Sequence, residues 1–232
     1  MIKLITFDLD DTLWDNGPVI RRAVQEGYEW LFNRCPELLQ HHDAASLDAM
    51  KNRLREEDPE LAHRVSEVRV TGMQRALEGV GYTHQEAREI AEQAFGVFHH
   101  WRHQVDLFEG VEEMLKILSS HFSLAVITNG NADVNQLGLG QYFQFTVSAE
   151  DLNRSKPDPK VFLKALSLAG VSSKDVIHVG DNLITDVQGA AEVGMKTIWF
   201  NPKNQECETA PIQPDVVINS LSELPDAVEK LK

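Results

Sequence analysis

Apolar and polar positions along the chain fall into two regimes. Short apolar runs open it and return in its second half, at Ile2 to Phe7, Leu124 to Thr128, Phe145 to Ser148, Val176 to Val179, Thr197 to Phe200 and Val216 to Ile218. Runs this short, bounded by polar or glycine-bearing segments, predict buried strands. From about Val19 to Trp101 the apolar residues recur instead at helical spacing. Helices are predicted there over Val19 to Phe32, Ala44 to Glu57, Pro59 to Val80 and His84 to Trp101. Thr83 with Glu86 has the spacing of a capping box, as does Ser220 with Glu223. In the second half, helices are predicted at Val111 to Ser119, just after Asn131, and over Lys160 to Ala169, Asp186 to Glu192 and Leu221 to Leu231. The polar, proline-bearing segment Asn201 to Pro214 is expected to be a loop.

Strands alternating with helices imply an α/β fold with a doubly wound, mostly parallel, Rossmann-like sheet and right-handed crossovers. The helical block interrupts this rhythm after the first strand. The expected organisation is therefore a catalytic α/β core of residues 1–14 and 105–232, with an inserted all-helical cap of residues 15–104. A chain of 232 residues with 42% hydrophobic content can bury such a core.

Composition narrows the partners. A net charge of -14 without a compensating Lys/Arg stripe excludes a nucleic-acid backbone. No apolar stretch nears the roughly 18 residues of a membrane span, and no basic leader precedes the first strand, so a cytoplasmic protein is expected. Cys35 and Cys207 lie far apart and are expected to be inert reduced thiols. The sequence leaves the oligomeric state open.

The first strand ends in Asp8, Asp10, Asp11 and Thr12. A buried strand has no structural use for three terminal carboxylates, whereas ligands of open α/β sheets bind just beyond the carboxyl ends of their strands. Acids packed so closely repel one another. A divalent cation relieves that repulsion, and hard oxygen donors favour Mg²⁺ over thiophilic metals. Three further polar signals follow later strands: Thr128-Asn129-Gly130, Lys156-Pro157, and Gly180-Asp181 with Asp186. Singly each has a bland explanation, since Asp caps helices, Thr closes turns and Lys-Pro is an ordinary loop dipeptide. Together and in this order they resemble the motifs of the haloacid dehalogenase superfamily of phosphohydrolases, in its members with a helical cap inserted between the first and second motifs. The resemblance runs through the whole core.

Phosphomonoester hydrolysis divides into two easier displacements if a carboxylate first accepts the phosphoryl group, giving an aspartyl phosphate that water then cleaves. Asp8 is the candidate nucleophile. Asp10 returns to the same strand face two residues on and is the candidate proton donor and acceptor. The resemblance supports both roles. It also implies Mg²⁺ held by Asp8, the backbone carbonyl of Asp10 and Asp181, with Asp186 supporting these ligands, and it matches Lys156 to the family's third-motif lysine. Thr12, Thr128, Asn129, Gly130 and Lys156 are candidates for binding the phosphate of a small phosphorylated metabolite. Asp11 falls out of phase and is expected to serve a turn or hinge. His99 and His103 have i, i+4 spacing but lack further ligands for a metal, and Gly138 with Gly140 completes no dinucleotide fingerprint. Trp14, Trp30 and Trp101 are expected to be packing residues rather than a substrate platform.

Asp10 and Asp181 favour phosphoryl transfer over the dehalogenase chemistry found in the same superfamily. A phosphomutase and a noncatalytic phosphosugar-binding protein are the alternatives from other classes. The runs Ile127 to Ala132, Gly138 to Phe143 and Arg154 to Pro157 resemble the bacterial flavin-mononucleotide phosphatase branch. That implies FMN or the phosphorylated ribitylaminouracil of riboflavin synthesis as substrate, with a sugar phosphate, a nucleotide or phosphoglycolate as alternatives.

Overall fold

The computed structural model describes residues 1–206 and 212–232. Cys35 is a buried free thiol, and Cys207 lies outside the described residues. Contacts divide the chain into two compact units, Asn16–Val105 and the combination of Met1–Asp15 with Asp106–Lys232.

The first of these is all helical: α1 (Asn16–Arg34), α2 (Ala44–Glu57), α3 (Val65–Gly79) and α4 (His84–Arg102). Their apolar faces meet in a core that includes Leu31, Leu47, Met73, Leu77, Ile90 and Ala94. The Thr83 hydroxyl accepts from the Glu86 N–H at 3.3 Å while the Glu86 carboxylate accepts from the Thr83 N–H at 3.1 Å, closing the expected capping box on α4. One expected helix is shorter than its apolar pattern. Instead of running from Pro59 to Val80, the chain makes a separate 3₁₀ turn at Leu61–His63 before α3 begins. The Asp58 carboxylate accepts from the N–H groups of Glu60 and Leu61, each at 3.0 Å, and this local side-chain capture ends one element and starts another.

The second unit carries six strands, β1 (Leu4–Phe7), β2 (Ser123–Thr128), β3 (Thr146–Ser148), β4 (Val176–Gly180), β5 (Lys196–Phe200) and β6 (Val216–Ile218). All pair in parallel, in the order β3-β2-β1-β4-β5-β6. Its helices are α5 (Val111–Ser119), α6 (Ala149–Leu152), α7 (Pro159–Ala169), α8 (Gly189–Glu192) and α9 (Leu224–Lys230). Every residue of β1 and β4 is buried, as a parallel strand covered on both faces requires. Leu4, Ala125, Ile127 and Val176 pack with Val161, Phe162 and Ala165 of α7 and Ala190 of α8, while α5 and α9 pack together on the opposite face. This is the doubly wound α/β fold with helical elements expected from the sequence.

No α-helix forms directly after Asn131, and the first helical element to follow β2 is a 3₁₀ turn at Gly140–Tyr142. The Asp133 carboxylate accepts from the Asn135 N–H at 2.9 Å, and Gly138, at φ +74°, ends the single turn that follows. Glycine alone takes that left-handed conformation without penalty, so the segment resolves into turns. Among the described residues, no helix is long and apolar enough to cross a membrane.

The order of strands reverses direction at β1, with β2 and β3 on one side and β4 to β6 on the other. A reversal of this kind opens a crevice at the carboxyl ends of the two strands that flank it, which is where open α/β sheets bind ligands.

Candidate active site

Asp8 follows β1 directly, and its N–H continues the ladder by donating to the Val179 carbonyl at 2.9 Å. Beyond it the chain turns tightly: the Thr12 and Leu13 N–H groups both donate to the Leu9 carbonyl, at 3.2 and 2.8 Å. Asp11 occupies the left-handed region at φ 60° within this turn. Asp10 is half-buried, and its charge adds to the upward push on the Asp8 carboxyl.

Lys156 is the electrostatic centre. Its buried ammonium donates to Asp8 Oδ1 at 2.7 Å and to Asp186 Oδ1 at 2.6 Å. Burial acts to lower the lysine, but the two carboxylates outweigh it and hold the ammonium protonated well above its ordinary range. The loop bearing Lys156 is fixed by Asn129, whose amide donates to the Lys156 carbonyl at 3.0 Å and accepts from the Lys156 N–H at 2.7 Å. The Asn129 side chain is therefore engaged with the lysine loop. Thr128, at the end of β2, is buried and its hydroxyl oxygen accepts from the Gly130 N–H at 3.0 Å. Thr12 is also fully buried, and among the described residues its hydroxyl has no hydrogen-bond partner.

Asp186 sits in a π-helical turn, Leu183–Gln188, that the sequence reading merged with α8. The Asn182 side chain caps the turn by accepting from the N–H groups of Ile184 at 2.9 Å and Thr185 at 3.0 Å. In return, Asp186 Oδ2 accepts from the Asn182 N–H at 3.0 Å and from the Thr185 hydroxyl at 3.4 Å. A Cβ on Gly180 would lie 2.3 Å from the Asp186 carboxyl carbon, so glycine is the residue that lets this carboxylate reach the lysine. His178 Nε2 lies 3.2 Å from Asp186 Oδ1, and His178 Nδ1 lies 2.8 Å from the Thr6 hydroxyl. A carboxylate only accepts, which assigns the proton to Nε2 and makes Nδ1 the acceptor of the Thr6 hydroxyl. Burial holds the imidazole below its ordinary range despite Asp186, so it acts as a neutral donor. Asp186 itself is held well below the carboxylate range: burial opposes this, and Lys156 and His178 overcome it.

Asp181 follows β4, and its backbone carbonyl accepts from the Trp199 indole N–H on β5 at 2.7 Å. Burial, then the charges of Asp186 and Asp11, push its carboxyl up to about 7. Burial and Asp186 likewise push Asp8 up to about 8 although Lys156 opposes them. Carboxyls raised in this way are stabilised by added positive charge. Asp8, Asp181 and Asp186 each offer an oxygen within 4.8 Å of the others, a hard-donor set that fits Mg²⁺.

The structure thus brings Asp8, Lys156, Asp181 and Asp186 together, with Asp10, Thr128 and Asn129 around them. His178, Trp199 and Asn182 were not anticipated. The available signal was a polar or amphipathic side chain inside an otherwise apolar buried strand, which fits His178 in β4 and Trp199 in β5. His99 and His103 have ring centroids 4.4 Å apart, and His103 Nδ1 lies 2.7 Å from the His99 carbonyl, so that nitrogen is committed to the backbone. Trp101 carries the Arg22 guanidinium 3.7 Å above its ring, Trp30 packs on the helical core, and Trp14 is fully buried.

Comparison with known proteins identifies the family. The haloacid dehalogenase-like hydrolase family model matches residues 2–194. The chain is 38% identical over 205 residues to an Escherichia coli 5-amino-6-(5-phospho-D-ribitylamino)uracil phosphatase, covering 88% of this chain and 85% of the relative. It is 29% identical to a Thermus thermophilus phosphoserine phosphatase, over 96% and 98% of the two chains. Among solved structures, a Pseudomonas syringae protein described as a 2-haloacid dehalogenase matches with TM-score 0.95 and 45% identity, over 100% of both chains. With a family match spanning most of its length and named phosphatases aligned along the core and the insert alike, this chain belongs to the haloacid dehalogenase-like hydrolases and is a phosphatase.

Proposed function

We propose that Asp8, Asp10 and Lys156 are the working centre of a Mg²⁺-dependent phosphomonoester hydrolase that acts through an aspartyl phosphate. The observation that carries this reading is the buried Lys156 ammonium bridging Asp8 and Asp186 at 2.7 and 2.6 Å, beside a third carboxylate on Asp181. An Asp8 oxygen attacks phosphorus as the bond to the ester oxygen breaks, and Asp10 gives its proton to that departing oxygen. Asp10 then takes a proton from water. The water oxygen attacks phosphorus, the bond to Asp8 breaks, and inorganic phosphate leaves with the carboxylate restored.

Lys156 fixes the Asp8 carboxylate and offsets the charge of the incoming phosphate. The Thr128 hydroxyl, whose oxygen already accepts from Gly130, keeps its own proton for a phosphate oxygen. Gly130 and Thr12 complete the phosphate-binding turns, and Asn129 acts through the lysine loop. When bound, Mg²⁺ would be held by the carboxylates of Asp8 and Asp181 and the Asp10 carbonyl, with Asp186 behind them, and would supply charge neutralisation and orientation. Asp186 suits that supporting place because Lys156, His178, Asn182 and Thr185 already meet its oxygens. In the same reading the Asn16–Val105 unit is the cap that excludes water and helps select the leaving group.

The substrate we propose is 5-amino-6-(5-phospho-D-ribitylamino)uracil, the compound in the name of the relative aligned over 88% of this chain, or FMN. Phosphate release from these two esters, sugar phosphates, nucleotides and phosphoglycolate, each with and without Mg²⁺, tests the assignment. Mg²⁺-dependent release should be fastest with the ribityl esters, and a faster unrelated ester would displace them. The named dehalogenase neighbour makes haloacid hydrolysis the second reading. Displacing halide from carbon gives no role to a cation-binding set of three carboxylates, so that set favours phosphate. Halide release from a 2-haloacid without phosphate release from any ester would reverse the preference.

A further inference from the structure

The α/β unit contains a cavity of about 230 Å³ that shares Asp181 with the carboxylate cluster. Its other walls include Phe108, Phe200, Pro202 and Lys203, with Asp11 and Asp15 contributing acid. The rings of Phe108 and Phe200 lie 5.7 Å apart at 56°, giving an apolar surface. The wall formed by Phe200 to Gln205 is pinned: Asn201 donates to the Gln205 carbonyl at 3.0 Å and accepts from its N–H at 2.9 Å, and Asn219 donates to the Asn201 carbonyl at 2.7 Å. The mechanism proposed above uses none of these walls except Asp181.

We infer that this cavity receives the leaving group of the phosphomonoester and selects an uncharged, polyhydroxylated or N–H-bearing group over one that carries a carboxylate. The inference deepens the phosphatase reading and rests on it. Because Asp181 belongs to both places, an ester with its phosphorus at Asp8 has this cavity as a neighbour. A volume of about 230 Å³ suits a small organic group such as a pentitol chain or a single substituted six-membered ring. In FMN the ribityl chain adjoins the phosphate, so FMN would place that chain here rather than its rings. Phe108, Phe200 and Pro202 suit the carbon face of such a group. Carboxylates only accept hydrogen bonds, so Asp11 and Asp15 pair with O–H or N–H donors and repel an anionic leaving group. Lys203 is outnumbered by them and leaves the wall net acidic.

The test compares kcat/KM for ribitol 5-phosphate and 3-phosphoglycerate at saturating Mg²⁺. The wild type should prefer ribitol 5-phosphate. In the Asp11→Asn, Asp15→Asn double variant, the ratio should shift about tenfold toward 3-phosphoglycerate, because two like charges are removed at constant shape. Asparagine tolerates the left-handed backbone of residue 11, so the turn is kept. Lys203→Glu, at an exposed position, should shift the ratio about tenfold the other way. Hydrolysis of both esters with ratios unmoved by either variant would overturn the inference and leave the phosphatase reading standing. Failure of the wild type to hydrolyse any phosphomonoester would overturn both.

Discussion

Replacing Lys156 by Met keeps the length of the side chain and deletes the charge that the site is built around. The ammonium bridges Asp8 and Asp186 at 2.7 and 2.6 Å, with all three side chains almost fully buried. Asp186 would retain His178, Asn182 and Thr185 as donors, whereas Asp8 would lose its lysine and still face the Asp186 charge. Removing one partner of a buried pair costs about 3–5 kcal/mol, because the remaining charge has lost both solvent and counter-ion. In a chain of this size, each kcal/mol moves the melting temperature by about 2–4 °C, so the expected fall is about 6–20 °C. The pair of Lys3 with Asp175, at 2.9 Å, has its lysine open to solvent and provides the contrast, since water screens that ammonium whether or not the pair forms.

Calorimetry in the presence of a chelator measures the fall, and hydrogen exchange in peptides covering β1 and β4 identifies the transition with the sheet. Added Mg²⁺ should stabilise Lys156→Met more than the wild type, since the cation would then relieve carboxylates the lysine no longer serves. A chelated variant melting within about 2 °C of wild type would refute the claim that this ammonium balances the buried carboxylates.

Asp8→Asn should stop turnover with the fold retained; undiminished Mg²⁺-dependent phosphate release from the purified variant would remove Asp8 as nucleophile. Asp10→Asn keeps the backbone carbonyl but loses proton transfer, so kcat on an ester with a poor leaving group should drop about 10² to 10⁴-fold, and a loss under about threefold contradicts the role. Asp181→Ala should weaken Mg²⁺ binding measured by calorimetry, and unchanged affinity would exclude it as a ligand. Asp175, hydrogen-bonded by Lys3, is held below the ordinary carboxylate range. Its stabilisation is therefore present above the unfolded carboxylate value and lost as pH falls through the lower folded value. Denaturation of Asp175→Asn should differ from wild type near pH 7 and converge with it in strong acid, and a difference independent of pH would count against the ion pair.

The strands were legible because parallel strands buried on both faces leave continuous apolar runs, and β1 and β4 are buried at every position. Asp8 and Asp181 were legible because charged residues just beyond such runs have no packing purpose, whereas Lys156, separated from β3 by α6, was legible only through the order of the motifs. What escaped depended on side chains competing for local backbone groups. Asp133 and Asp58 each capture nearby N–H groups, replacing an expected helix by turns and delaying the start of another. Helical spacing of apolar residues carries no record of that competition. His178 escaped for a different reason. Its role requires Thr6 across the β1–β4 ladder and Asp186 in the following π-helical turn, neither of which its own strand specifies.

That ladder also explains why motifs scattered over the chain converge. Thr6 lies opposite His178 and Phe7 opposite Val179, so β4 runs one residue past β1 and the two strands release Asp8 and Asp181 at the same end of the sheet. On the other flank of β1, Phe7 lies opposite Val126, bringing the end of β2 and hence Thr128 to that end of the sheet. Asn129 then draws in the Lys156 loop, whose ammonium spans to Asp8 and Asp186. Shifting either register by one residue would turn the corresponding side chains to the opposite face of the sheet. The packing that buries β1 on both faces therefore also sets where its nucleophile candidate points, which couples the packing of the sheet to the geometry of the site.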